Sequence, residues 1–277
     1  MRILFCVPAY GGSVRSETMQ TVASGLLSLA KAGHEVRLFS VDMAEISRVR
    51  NLFASLALQE KWEALIMVDA DMSFPDTVFN QMVDSGYDVC GLTYPKRTID
   101  LERFHAAAQA GKTLEVSTIE GLTFIVPDGF VHDGGKLNIQ KGFVEMKGLP
   151  AGCMLIRLKV LETMWKKLPE IHQTTRIDGL ESSLGLKALI RCFDNIKAHD
   201  TNFSEDLSFC MRWKALGGRI HALADASVTH HGFMKFEGKY LDWLTNRFSP
   251  PVDAPPPNRA AASTAKPSKS PRGRGSR

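Results

Sequence analysis

Two aspartates separated by one small residue, Asp69-Ala70-Asp71, follow the apolar run Ala64 to Val68. A continuous hydrophobic run of that length predicts a central parallel strand covered on both faces. Ligands of open α/β sheets bind beyond the carboxyl ends of such strands. A D-x-D turn leaving the strand can therefore aim both carboxylates at one ion. Hard oxygen donors of this kind suit Mg2+ or Mn2+, with diphosphate oxygens completing the coordination. The ordinary alternative is a pair of solvated turn carboxylates capping the helix that Pro75 opens. Two further clusters bear on that choice. Glu205 and Asp206 head the apolar segment ending at Trp213, as acid–base groups or as plain helix-start carboxylates. His230 and His231 follow an extended stretch, either as extra ligands for a carboxylate site or as surface residues.

The elements that must position these groups alternate through the first ninety residues. Arg2 to Val7 is a compact apolar run ending at Pro8 and reads as a strand. Met19, Val22, Leu26, Leu27 and Leu29 have helical spacing between a serine start, Ser13 or Ser16, and a Gly33 stop. His34 to Val41 alternates as a second strand, and Glu45 to Leu58 is a helix. Pro75 starts another helix to about Ser85, and Asp88 to Leu92 gives a fourth strand. This order predicts a doubly wound, mostly parallel sheet. Between Gly111 and Gly148 short β-branched and aromatic segments are broken by Gly121, Pro127-Asp128-Gly129, Gly134-Gly135 and Gly142, a pattern that predicts antiparallel hairpins. Ala151 to Ile156 reads as a buried strand and Leu158 to Leu168 as a helix. Pro169 to Thr201 reads as loop-rich, Ser204 to Leu216 as a serine-capped helix, and Arg219 to Thr229 as extended.

The 277 residues carry a net charge of +4, but the charge is unevenly divided. From Ser249 onward there are six basic side chains against Asp253 alone, a surplus of five, so the preceding residues sum to −1. Seven of the thirteen prolines also lie in that segment, so it is expected to be a disordered tail. It is either a solvated tail or a tether to DNA or another acidic surface. No apolar run approaches the length of a membrane span, and Ile3 to Val7 is too short for a signal core. The five cysteines are scattered without a C-x-x-C pair, which argues against a disulfide framework and a zinc site. A cytoplasmic protein is the expectation.

Together the three polar clusters have the order and spacing of a family-2-like, GT-A-fold glycosyltransferase, and the chain resembles that family over most of Met1 to about Arg247. The resemblance is carried by Val7-Pro8-Ala9-Tyr10, the D-x-D strand, the Glu205-Asp206 helix start and His230-His231-Gly232. Lesser likenesses are Ile46-Ser-Arg48-Val-Arg50-Asn51, Gly91-Leu-Thr-Tyr94-Pro-Lys96-Arg97 and Leu149-Pro-Ala-Gly152-Cys-Met154. It implies a GT-A domain over 1–248, with a nucleotide-binding half (1–100) and an acceptor and catalytic half (101–248), before the 249–277 tail. Pro8, Ala9 and Tyr10 would then lie against base and ribose, Arg50 and Asn51 would meet the base or diphosphate, and Asp69 would reach the ribose or a metal-bound water. Asp71 and His230 would hold Mn2+ or Mg2+; His230 is chosen over His231 because the family pattern is His-x-Gly. Gly152 would let backbone amides approach the donor sugar.

The resemblance implies transfer of a sugar from a nucleotide-sugar, with UDP as the expected carrier, to an acceptor hydroxyl. The leaving nucleoside diphosphate is strongly anionic, and a metal offsets that charge as a Lewis acid. Inversion requires a general base, expected to be Asp206 with Glu205 beside it. The acceptor is expected to be a glycan, a lipid-linked sugar or a modified DNA base. Arg212-Trp213 resembles the Q-x-x-R-W of processive synthases but lacks the glutamine, so processive synthesis is set aside. The competing readings are a sugar-phosphate nucleotidyltransferase, for which Gly11-Gly12-Ser13-Val14-Arg15 is a thin match, and a nucleic-acid-binding protein on a transferase-like fold.

Overall fold

The computed structural model describes residues 1–126, 138–198, 200–232 and 235–248. The Pro127-Asp128-Gly129 and Gly134-Gly135 breaks and the basic tail fall outside the described residues. In chain order, β1 (Arg2–Pro8), α1 (Ser16–Lys31), β2 (Glu35–Val41), α2 (Ile46–Gln59) and β3 (Ala64–Val68) follow the alternation of the sequence. Next come β4 (Met72–Ser73), α3 (Thr77–Asp84), β5 (Val89–Gly91), β6 (Pro95–Ile99), α4 (Leu101–Gln109), α5 (Leu114–Gly121) and β7 (Leu122–Phe124). After β8 (Ile139–Gln140) and β9 (Phe143–Met146) stand β10 (Cys153–Arg157) and α6 (Leu158–Lys167). Two small ribbons follow, β11 (His172–Gln173) with β12 (Leu189–Ile190), and β13 (Lys197–Ala198) with β14 (Thr201–Asn202), with α7 (Gly179–Ser183) between the strands of the first. The described chain closes with α8 (Glu205–Ala215), β15 (Ile220–Leu223), β16 (Ser227–His231), β17 (Lys235–Lys239) and α9 (Tyr240–Phe248).

The central sheet has eight strands in the order β2-β1-β3-β10-β5-β15-β9-β8. Pairings β1–β2, β1–β3 and β5–β15 are parallel, and only β10 and β9 run against the other six strands. Strand periodicity divides the core between two layers. Leu4, Cys6, Leu65 and Met67 face α2, α6 and α8, whereas Ile3, Phe5, Ile66 and Val68 face α1 and α3. All five residues of β3 are buried, as a strand covered on both sides requires. All five cysteines are buried free thiols, and burial pushes those of Cys90 and Cys192 up to about 12, so they act as packing groups.

Three departures from the sequence expectation have physical causes. Residues 114–121, within the stretch read as hairpins, form a helix. The Thr113 side chain accepts a hydrogen bond from the Val116 amide, and Ser117 and Ile119 are buried, so capping and burial outweigh β-propensity. The antiparallel strands β8 and β9 instead extend the edge of the main sheet through β15. In α1, Met19 and Leu27 of the expected apolar stripe are exposed, while Thr18, Thr21 and Gly25 are buried. The reason is close approach: a Cβ at position 25 would overlap the Phe79 ring of α3. Ser204 does precede α8, but its hydroxyl makes no backbone cap and bonds the Asp206 carboxylate.

Because Phe79 is itself fully buried, it cannot yield to an added methyl group. Gly25→Ala gains about 1 kcal/mol of helix propensity but loses roughly 1–3 kcal/mol to overpacking. The expected net result is a lower midpoint in urea denaturation, although alanine is the better helix former.

Candidate functional site

The site forms where β1, β3 and β5 end. Since β10 is antiparallel to its neighbours, its beginning reaches the same edge, and the Asp69 amide donates to the Gly152 carbonyl at 2.9 Å. Below that edge lies Arg50 of α2, only 4% exposed. Its Nη2 donates to both carboxylate oxygens of Asp69, at 3.0 and 3.2 Å, and its Nη1 bonds Glu205 at the head of α8. One guanidinium thus ties the end of β3 to the start of α8. Burial pulls the Arg50 pKa down, but Asp69, Glu205, Tyr94 and Asp206 together outweigh it and hold the pKa above its ordinary value. Glu205 has its pKa raised, first by burial and then by Asp206 and Asp69, against the opposing pull of Arg50.

Tyr94 and Gly152 form the floor. A Cβ at position 152 would lie 2.5 Å from the Tyr94 ring, so glycine is required there by close packing. Burial, then the Asp69 charge, raise the Tyr94 phenol's pKa, so it stays protonated. The donor-sugar approach expected of Gly152 therefore has a packing role beside it.

Asp71 and His230 meet on the other side of the same turn. β16 pairs with β4, the His231 amide donates to the Asp71 carbonyl at 2.8 Å, and His230 stands opposite Met72. His230 Nδ1 lies 2.9 Å from the Pro95 carbonyl, which assigns the proton to Nδ1 and leaves Nε2 as an acceptor. Burial, then Arg97, lower the His230 pKa, with the Pro95 carbonyl opposing, so the ring is neutral near pH 7. His230 Nε2 is 3.7 Å from Asp71 Oδ2. His231 is turned elsewhere, with Nε2 2.7 Å from Ser73 Oγ. Arg97 bridges the pair: its Nη2 contacts Asp71 Oδ2, and its Nε donates to His230 Nε2 at 3.0 Å.

The other expected residues divide. Pro8, Tyr10, Asp69 and Asp71 line one cleft with Ser13 and Arg15, and Tyr10 is 69% exposed, its ring open for stacking. Ala9 is nearly buried, its amide bonded to the Val41 carbonyl at 2.8 Å. Asn51 is apart from this group: its amide donates to Asp194 at 2.7 Å and accepts from the Phe193 backbone at 2.7 Å, so both polar ends hold the 190s loop. Asp206 is close enough to shift Tyr94 and Arg50 electrostatically. Ser204 and the Leu207 amide both bond its Oδ1, which leaves Oδ2 without a hydrogen bond among the described residues. Sequence reasoning assigned no role to Tyr94 or Arg97; the signal for both was the Tyr94-Pro-Lys96-Arg97 run.

Do these residues fit a divalent ion? With ligand distances of about 2.0–2.1 Å, two donors on one Mg2+ stand about 3 Å apart at right angles and about 4 Å apart when opposed. The 3.7 Å between Asp71 Oδ2 and His230 Nε2 falls between those two separations, so the carboxylate would have to turn by a few tenths of an ångström for the pair to span one ion as opposed ligands. Among the described residues no three such side chains converge, so further ligands would come from diphosphate and water.

No family model and no curated protein matches this chain. Among solved structures, A197 from STIV aligns with 84% of this chain and 86% of its own, at 19% identity and a TM-score of 0.44. HddC from Yersinia pseudotuberculosis covers 59% of this chain and 80% of its own, at 10% identity and a TM-score of 0.27. A candidate glucose-1-phosphate thymidylyltransferase from Bacillus anthracis, solved with sucrose, covers 60% and 75%, at 14% identity and a TM-score of 0.28. Likenesses this distant carry no functional argument, which rests on the site itself.

Removing Arg50 leaves Asp69 and Glu205 without their shared cation. Arg50→Met is expected to cost about 3–5 kcal/mol in chemical denaturation at pH 7. The pH dependence follows from Glu205: its folded pKa is raised, so its own contribution to stability is fully present below its unfolded value, about 4.3, and is lost as pH rises through the folded pKa. Without the opposing pull of Arg50 that loss steepens, so the variant's deficit measured at pH 4 should be smaller than at pH 7.

Proposed function

We propose that this chain is a non-processive glycosyltransferase that moves a sugar from a nucleotide-sugar, with a UDP-sugar as the first candidate donor, to an acceptor hydroxyl with inversion. The observation that carries the reading is the convergence of three clusters distant in sequence on one sheet edge. Asp69 and Glu205 share the buried Arg50, and Asp71 with His230 lies across the same turn. Four carboxylates (Asp69, Asp71, Glu205 and Asp206) stand there against three guanidiniums (Arg15, Arg50 and Arg97), a residual negative charge that favours a cation.

Each residue then has a distinct task. Tyr10 offers its ring face to the base, and Asp69, held by Arg50, faces the ribose. Asp71 and neutral His230 would hold the ion, which when bound offsets charge on the departing diphosphate as a Lewis acid. Glu205 is occupied by Arg50, whereas Asp206 keeps Oδ2 open, so Asp206 takes the acceptor proton at that oxygen. Tyr94, protonated and buried, keeps the floor neutral.

The test is a screen for metal-dependent hydrolysis of UDP- and GDP-sugars without acceptor, followed by product analysis. Release of nucleoside diphosphate dependent on Mn2+ or Mg2+ is the expected outcome. Consumption of nucleoside triphosphate with pyrophosphate release would mean nucleotidyl transfer instead. With a donor in hand, Asp206→Asn should lower turnover by at least ~100-fold, the scale of a lost general base, while nucleotide affinity by titration calorimetry stays within about twofold. Unchanged turnover would remove Asp206 from the mechanism.

A further inference from the structure

We infer that Arg97 is a displaceable cation that occupies the metal position between Asp71 and His230, so that the site takes a divalent ion weakly by itself and tightly together with a diphosphate. This rests on the metal-dependent reading above and adds a gate to it. Arg97 reaches the same two atoms an ion would use: Nη2 meets Asp71 Oδ2, and Nε donates to the His230 Nε2 lone pair at 3.0 Å. Those atoms stand 3.7 Å apart, close to the separation of two opposed ligands on one small ion. The guanidinium neither loses its proton nor accepts a hydrogen bond, so it competes with a metal and can never help ligate one.

The surroundings of Arg97 allow it to leave. Its side chain is 45% exposed, against 4% for Arg50, and it extends from β6. His230 is anchored through Nδ1 on Pro95, and the Asp71 backbone through its carbonyl on the His231 amide, so the ring and the Asp71 main chain keep their places after Arg97 departs and the carboxylate can turn to an ion. An ion arriving alone would have to displace one positive charge with two protein donors in hand. An ion arriving with a diphosphate brings oxygen ligands and also offers the freed guanidinium a bidentate phosphate partner. Metal and nucleotide binding are therefore coupled through Arg97, each favouring the other by the same factor.

The coupling is measurable without turnover. Mn2+ binding to the full chain is followed by electron paramagnetic resonance, with and without UDP. The wild-type protein should bind Mn2+ alone weakly and at least ~10-fold more tightly with UDP, within the usual range of coupling between two ligands. Arg97→Gln should bind Mn2+ alone at least ~10-fold more tightly than wild type and show a smaller enhancement by UDP, the remainder coming from diphosphate oxygens on the ion, and adding Asp71→Asn should abolish that gain. If Arg97→Gln does not fold, Arg97→Lys keeps the charge but cannot span both ligands, and should show a smaller gain in the same direction. Equal Mn2+ affinity in the variant and wild type, with the UDP effect intact, overturns the gate while leaving the metal reading standing. Absence of Mn2+ binding in every protein, even with UDP, overturns the metal reading and the gate together.

Discussion

A guanidinium keeps its proton under all ordinary conditions, so a fold that buries one must deliver carboxylates to it. Arg50 imposes that requirement on three parts of the chain at once. It projects from α2, draws in Asp69 from the end of β3, and binds Glu205 from the first turn of α8. Its Nε finds no partner among the described residues, and its compensation there comes from those two acids. Arg50 and Glu205, 155 positions apart, are thereby held together, and the sheet edge and the helix start cannot drift separately.

That ion pair works because the backbone beneath it is tightly set. β10 enters the sheet against the direction of β3 and β5, which brings Gly152 to the edge where those strands end. Its carbonyl receives the Asp69 amide, and its missing side chain admits the Tyr94 ring. Tyr94 in turn meets His230 edge-on, with ring centres 5.0 Å apart. A single close approach therefore connects the Asp69 half of the site to the Asp71 half.

The two halves differ in how their charges are compensated. Around Arg50 the cation is buried and its two half-buried acids are partnered, which suits groups that must not move. Around Asp71 the compensating cation is half-exposed, and the His230 ring beside it is neutral. The first half is architecture with a polar surface; the second is a site whose cation can be exchanged.

Much of this was legible in the sequence. The uninterrupted Ala64 to Val68 run marks a buried strand on its own, and the alternation of strands and helices marks a two-layered core, because periodicity is a local property. The spacing of Asp69, Asp71, Glu205, Asp206 and His230 marked the polar clusters. What local pattern could not supply was contact. The helix at 114–121 depends on a Thr113 cap and on burial, and the exposure of Met19 and Leu27 depends on how closely α1 approaches α3. Asn51 matched a family pattern, yet only the fold turns its amide toward Asp194 and Phe193. The register with β4 sets the His231 backbone against Asp71, yet it is the His230 ring that comes near the Asp71 carboxylate, and the bridging position of Arg97 follows from β6 lying beside β16. By itself the sequence determined which residues could carry charge and chemistry. Only the tertiary structure decided which of them share an ion pair, because that is set by the distance between elements far apart in the chain.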